Sequence, residues 1–305
     1  MVVVVLFSIL IFSIRPAEIL EAFKDARPRY LVYAVILMIP NLLLQFLKWR
    51  FILSSLDPRP SMKTTAVSLF GGFFLGASTP GRTGELARGI FIPGHSKIKT
   101  ASLTVVDKAF NQLLILIFGL TAAGFYIPFP YSVIPFAAVI SVVAIMLNIH
   151  RTRPWLERFF HRFTKSEGVD NALAAFDALT WRKSVGLFIF TTFFYATFSF
   201  QYYCLIRCFS DFSLLSGIRT IPVIYVINTM FPVAIGDFGV KEMAAVHVLE
   251  PFGIAGGPAF SATLTQNVIT FLTPALIGGL VFLFSNPIKN QEARSSDGHN
   301  TLSRD

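Results

Sequence analysis

The stretch Pro80-Gly81-Arg82-Thr83-Gly84-Glu85-Leu86-Ala87-Arg88 decides how this chain folds. It ends an apolar run, residues 65–79, that amounts to about 22 Å of helix and falls short of the ~30 Å hydrocarbon core of a bilayer. Proline and two glycines break a helix, and the charges that follow need partners or water if they lie within lipid. Residues 65–92 therefore read as a helical hairpin that enters and leaves on one side, not as a full crossing.

That reading needs a membrane, and the composition supplies it. Of 305 residues, 54% are hydrophobic, 14% are charged and 33 are Phe; the mean hydropathy is +0.64. A soluble domain carries roughly 25% charged residues, so a soluble enzyme, a secreted disulfide scaffold and a nucleic-acid reader are excluded. The formal charge of +9 belongs instead to basic loops on the cytoplasmic side. Long apolar runs recur at residues 30–56, 101–127, 131–149, 185–206, 218–235 and 259–284. Residues 1–14 are apolar without a basic lead or small-residue cleavage site, so they read as a tilted first helix, or one starting further upstream, and not as a signal peptide. Cys204 and Cys208 share one helix face and read as packing residues; the five histidines are scattered, with no metal-ligand spacing.

Orientation follows from short-loop Lys and Arg. Residues 150–183 hold Arg151, Arg153, Arg158, Arg162, Lys165, Arg182 and Lys183 and go inside, as a cytoplasmic loop. Trp155, Leu156, Phe159, Phe160 and Phe163 give that loop an amphipathic helix lying on the membrane surface. Residues 285–305 read as a disordered cytoplasmic tail following a transmembrane domain, residues 1–284. Residues 128–130 and 208–220, nearly free of basic residues, go outside. If residues 185–206 run outward and 259–284 return, residues 218–249 must enter and leave on the outer side. Residues 65–92 then do the same on the inner side. One misfit stands: residues 15–29 are placed outside despite Arg15, Lys24, Arg27 and Arg29.

The second short segment ends at Pro232-Val233-Ala234-Ile235-Gly236, which repeats the Pro-x-x-x-Gly spacing of the first break. Span, hairpin, span, and then the same inverted, is an inverted repeat, and broken helices at matching places in two halves point to a transport site. The fold expected is an all-α polytopic membrane protein with about six transmembrane helices and two re-entrant hairpins. Two kinked ordinary helices, giving eight spans, are the alternative.

Four groups carry the chemistry. Arg82, Glu85 and Arg88 follow the first break at helical spacing. A helix beginning near Thr83 would turn its N-terminal amides toward the hairpin tip, where an anion is held well, and arginine forks match phosphate oxygens. Asp107 and Lys108, with Asn111 and Gln112 a turn later, open the next span; being adjacent they face apart, and each needs its own partner, Arg82 or Arg88 for Asp107. Asp237, Lys241 and Glu242 follow the second break, Asp237 to Lys241 in the favourable acid-first order. Asn41, Gln45, Asn228, Gln266 and Asn267 are uncharged polar groups that either bond between helices or touch substrate. Lys48 and Arg50 flank Trp49 at a span end and read as anchors reaching the interface. No catalytic or nucleotide-binding motif is present, so an ATP-driven step by this chain is not expected.

The first break, Val106-Asp107-Lys108, the segment from Pro232 to Gly236, and Gly239-Val240-Lys241-Glu242 resemble the lysylphosphatidylglycerol synthase transmembrane-region family, flippase-like membrane proteins. The resemblance runs from about residue 30 to 284. Lys108 stands where the family pattern has arginine, and Ala234-Ile235-Gly236-Asp237 departs from its glycine-rich run. The family implies lipid translocation. Its bifunctional members add a soluble aminoacyl-transferase domain; only the tail follows here, so aminoacyl transfer is not expected. The expected function is flipping of an anionic phospholipid or polyprenyl-phosphate-linked lipid across the cytoplasmic membrane, without enzymatic activity, cofactor or metal. Arg82, Arg88, Lys108 and Lys241 would hold the headgroup, with Asn111 beside them. Glu85, Asp107 and Glu242 would tune the charge or accept a coupling proton, and Asp237, also a candidate cap for its helix, is counted with the binding residues. The alternative is a membrane enzyme or accessory subunit in lipid-linked glycan or aminoacyl-lipid synthesis. Expected partners are the lipid, the membrane and a glycosyltransferase or other lipid-modifying enzyme, with a homodimer left open and no nucleic acid.

Overall fold

The computed structural model describes residues 16–79, 81–148, 151, 154, 157–158, 162, 176, 179–230 and 239–285. Among these residues the secondary structure is helical throughout, with no strand. Helix α1 is Pro16–Lys24, α2 Pro28–Leu53 and α3 Met62–Ala77; a 3₁₀ segment, Thr83–Phe91, follows. Then come α4 Lys97–Gly124, α5 Val133–Leu147, α6 Trp181–Phe209, α7 Leu214–Met230 and α8 Val240–Leu249. The last helix, α9, is Gly256–Phe284 and contains a π-helical turn at Val268–Leu272.

Four of the described helices, α2, α4, α6 and α9, are long and apolar enough to cross a bilayer. Six crossings are expected from the sequence. Of the two others, residues 1–14 lie outside the described residues, and α5 is a helix of 15 residues. The run at residues 131–149 promises more because hydropathy does not see where the helix begins and ends: it starts past Pro128 and Pro130 and stops at Asn148. The surface helix expected within residues 150–183, the second break expected at residues 232–236 and the expected tail fall mostly or wholly outside the described residues.

Polarity is arranged inside out. Ile39, Leu43, Ile134, Ile140, Leu280, Leu283 and Phe284 are exposed, while Asn41, Lys48, Glu85, Arg88, Asp107, Gln201, Lys241, Glu242, Gln266 and Asn267 are buried. Exposed apolar surface on that scale suits lipid, and buried polar groups must then find partners within the protein. This is a multi-pass membrane protein.

Small residues and interhelical hydrogen bonds set the packing, as expected where lipid removes any hydrophobic gain from helix association. Helices α2 and α6 are antiparallel along their length. The Arg27 N–H donates to the Cys208 carbonyl at 2.8 Å at one end, and Lys183 Nζ donates to Ser55 Oγ at 2.8 Å at the other. Between them the Gln201 amide donates to the Ala34 carbonyl at 2.7 Å. Gly119 lets α4 close on Val226 of α7, and Gly278 lets α9 reach the Phe70 carbonyl of α3.

Two antiparallel helical hairpins hang on this frame. In the first, α3 runs against the 3₁₀ segment: Gly71 faces Phe91, Gly72 faces Arg88 and Gly76 faces Glu85. The Gly84 N–H closes the turn by donating to Thr79 Oγ1 at 2.7 Å. In the second, α7 packs on α8. Phe212, just before α7, meets Phe252, just after α8, edge to face at 6.4 Å, so this segment begins and ends at the same level of the bundle.

Candidate functional site

Two glycines of α3, Gly72 and Gly76, create the first half of the site. A Cβ at Gly72 would stand 2.5 Å from Arg88 Cγ, and one at Gly76 would stand 2.8 Å from Glu85 Cγ. Glycine at these positions therefore lets two charged side chains lie flat on an apolar helix. The turn between them is strained: Gly81 has φ 58° and Arg82 φ 56°. A non-glycine residue in that left-handed region costs on the order of 1–2 kcal/mol, and it is Arg82, at the tip, that carries the cost.

The charges form one connected cluster. Glu85 accepts a hydrogen bond from Arg88 Nη2 at 2.8 Å and forms ion pairs with Arg82 Nε at 2.7 Å and Lys108 Nζ at 3.4 Å. Asp107 accepts a hydrogen bond from Arg88 Nη1 at 3.1 Å through Oδ2, and its Oδ1 forms an ion pair with Lys48 Nζ at 2.7 Å. Lys48 also donates to Asn111 Oδ1 at 2.7 Å. Arg88 lies over the Trp49 ring at 4.8 Å, and Arg82 over Phe271 of the π-helical turn at 4.7 Å. Burying one ion costs several kcal/mol, recovered only where geometry and hydrogen bonds are good; here each carboxylate faces at least two cations.

The second half is built differently. Gly239, at φ 98°, caps α8, and its N–H donates to Glu242 Oε2 at 2.6 Å. Asn267, just ahead of the π-helical turn, spans the pair: its Nδ2 donates to Glu242 Oε1 at 2.7 Å and its Oδ1 accepts Lys241 Nζ at 3.2 Å. The Lys241 ammonium is boxed by the rings of Phe198, Tyr202 and Tyr225 at 5.3–5.4 Å, a cation–π arrangement.

Both halves open on one cavity of about 260 Å³. Arg82, Glu85, Arg88, Asp107, Lys108, Asn111 and Lys241 all line it. The structure thus brings together seven of the nine residues singled out in the sequence. Glu242 is fully buried behind Lys241 and holds its geometry through Asn267. Asp237 lies outside the described residues. Among the described residues, the cations Lys48, Arg82, Arg88, Lys108 and Lys241 stand against Glu85, Asp107 and Glu242, a formal excess of two positive charges. No three His, Cys, Asp or Glu side chains among the described residues converge as metal ligands would.

Three features go beyond the sequence reading. Lys48 is not an interfacial anchor: its side chain is 3% exposed and ties α2 to α4. Asn267 is the bridge of the second half, whereas sequence alone gives it no more weight than Asn228 or Gln266. Tyr195, Phe198, Tyr225 and Phe271 form an aromatic wall to the cavity; in a chain with 33 Phe, ring residues carry little positional signal.

Comparison with known proteins places these features in a family. A UPF0104 membrane protein of Methanocaldococcus jannaschii is 19% identical over 298 residues, covering 87% of this chain and 88% of its own. No solved structure gives a significant match. The model of the family described as lysylphosphatidylglycerol synthase TM region matches residues 1–278, and with nearly the whole helical bundle inside that match, the chain belongs to that family.

Proposed function

We propose that the protein translocates an anionic phospholipid or a polyprenyl-phosphate-linked lipid across the cytoplasmic membrane, and that it does so as a transporter and not as an enzyme. One observation carries the reading: residues next to both hairpin turns, Gly81 and Arg82 from one, Thr229 and Lys241 from the other, line a single cation-rich cavity inside a bundle with an apolar exterior. On this reading the two hairpins are re-entrant, dip in from opposite faces and meet near the midplane. The headgroup enters the cavity while the tails remain in lipid. Arg82 and Lys108, whose side chains are 26% and 32% exposed, are the cations a headgroup reaches first. Arg88 and Lys48, almost fully buried, hold the cavity's shape. Lys241 takes the anion from the other half. A neighbouring glycosyltransferase or other lipid-modifying enzyme would supply or consume the lipid.

The test is a proteoliposome assay with fluorescent anionic lipids, scored by quencher access to each leaflet. Arg82→Ala and Lys241→Ala should each lower the translocation rate about 10- to 100-fold, the loss of one hydrogen bond to a charged group. Wild-type rates in both variants would refute the proposal.

A further inference from the structure

The Glu85 carboxylate is the point on which three cations converge, and the three are not equivalent. Arg88 is 2% exposed by side chain and has a second carboxylate partner, Asp107, at 3.1 Å. Arg82 and Lys108, at 2.7 and 3.4 Å from Glu85, are partly open to the cavity. Glu85 itself is 4% exposed and is pressed against α3 at Gly76, where any side chain would collide with it. The carboxylate therefore reaches the two accessible cations from the protein side, while a ligand in the cavity reaches the same two from the other. A carboxylate and a phosphate present matching oxygens to a guanidinium or ammonium, and both form short charge-assisted bonds.

We propose that Glu85 is a competitor built into the headgroup site: it holds Arg82 and Lys108 where they take a substrate phosphate, and the phosphate takes them from it. This deepens the transport reading above and rests on it. When the phosphate binds, Glu85 keeps Arg88, so no carboxylate is left buried without a cation. When the phosphate leaves, Glu85 recovers Arg82 and Lys108, so two cations are not left facing lipid. Glu85 stays in the site throughout, so its pull on Arg82 and Lys108 opposes the phosphate's hold on them, which a transporter needs if it is to let its cargo go. The cavity also limits the cargo. At about 260 Å³ it lies below the ~300–1,000 Å³ typical of pockets for drug-sized ligands. Its volume suits a phosphate with a small substituent, such as phosphatidate or phosphatidylglycerol.

The experiment measures binding and transport separately in purified protein and in proteoliposomes. Short-chain phosphatidate, short-chain phosphatidylglycerol and inorganic phosphate serve as probes. Glu85→Gln, which keeps the side chain's size, should bind phosphatidate about tenfold tighter, the worth of one lost charge-assisted competitor, and should transport more slowly because release is impaired. Glu85→Asp retains the negative charge and withdraws the oxygens, so it folds even if the glutamine variant does not; its affinity should fall between those of wild type and Gln. If wild-type protein translocates these lipids but both variants bind them no more tightly than wild type, the competitor role is overturned and the transport reading survives. If wild-type protein moves no anionic lipid, the transport reading itself fails. A gain in affinity for inorganic phosphate without one for phosphatidate would overturn the lipid assignment.

Discussion

Replacing Lys48 by methionine separates two accounts of this residue by a measurable margin. Methionine keeps the apolar stem and removes the ammonium. In the wild type that ammonium is 2.7 Å from Asp107 Oδ1 and 2.7 Å from Asn111 Oδ1, on a side chain 3% exposed. The variant leaves Asp107 with Arg88 alone, at 3.1 Å. Removing one partner of a buried ion pair typically costs 3–5 kcal/mol; because Arg88 remains, the lower end applies, about 3 kcal/mol. An anchor at the lipid–water interface would be worth at most about 1 kcal/mol, and salt would screen it. Reversible unfolding in mixed detergent micelles, run on Lys48→Met, Asp107→Asn and the double variant, isolates the pair. The expected coupling is about 1–3 kcal/mol, unchanged from low to high salt. A Lys48→Met cost below about 0.5 kcal/mol, or a coupling that salt abolishes, would refute the buried network and return Lys48 to the interface.

Two further outcomes follow from packing and charge. Gly72→Ala places a methyl 2.5 Å from Arg88 Cγ and 2.6 Å from its Nε; Arg88 is held by two carboxylates and cannot swing aside, so unfolding in the same micelles should show a loss of about 1–3 kcal/mol, the usual cost of overpacking. At the end of the bundle where α2 begins and α6 ends, Arg27 donates to both oxygens of Asp211 at 2.6 and 2.7 Å and holds that carboxyl below its ordinary range. A carboxylate whose pKa is lowered by folding stabilises the fold above its unfolded value of about 3.9, and that contribution disappears as pH falls through the lowered value. Protection of the Arg27 amide, which donates to the Cys208 carbonyl, measured against its intrinsic exchange rate at each pH, should therefore fall only below about pH 4, and Asp211→Asn should abolish that dependence.

How far the sequence could be read depends on whether a feature is local. The break at residues 80–84 is written in proline and glycine, and the structure closes a hairpin there. Asp107 and Lys108 are adjacent, hence face apart, and the structure gives them separate partners, Lys48 and Arg88 for one and Glu85 for the other. The place of Lys48 was not legible. A lysine next to Trp49 near the end of a span is the usual pattern of an anchor, and what buries it, Asn111 and Asp107 on α4, is more than fifty residues away in sequence. The glycines of α3 are visible as Gly72-x-x-x-Gly76, a spacing that brings helices close. That they receive an arginine and a glutamate, and not another apolar helix, depends on the chain folding back. The count of crossings is the least legible, because hydropathy measures how apolar a run is, whereas the helix limits of α5 are set by local breakers.

Exposure then sorts the charged residues by what their loss should change. Arg88, sealed in the bundle, serves both buried carboxylates of the first half; Asp107 also has the sealed Lys48, and Glu85 has two more cations that reach the cavity. A sealed cation paired with a buried carboxylate cannot turn to a headgroup without stripping that carboxylate of its charge partner, so its contribution belongs to stability. An accessible cation exchanges partners without moving a helix, so its contribution belongs to binding. The second half has no such division. Glu242 is satisfied by a backbone N–H and an amide, and that amide, Asn267, also holds Lys241. A headgroup that draws on Lys241 must therefore pull against Asn267, which adjoins the π-helical turn carrying Phe271, the ring under Arg82. The two halves touch through that turn, and a change of partner at Lys241 has a direct structural route to the cation at the opposite hairpin tip.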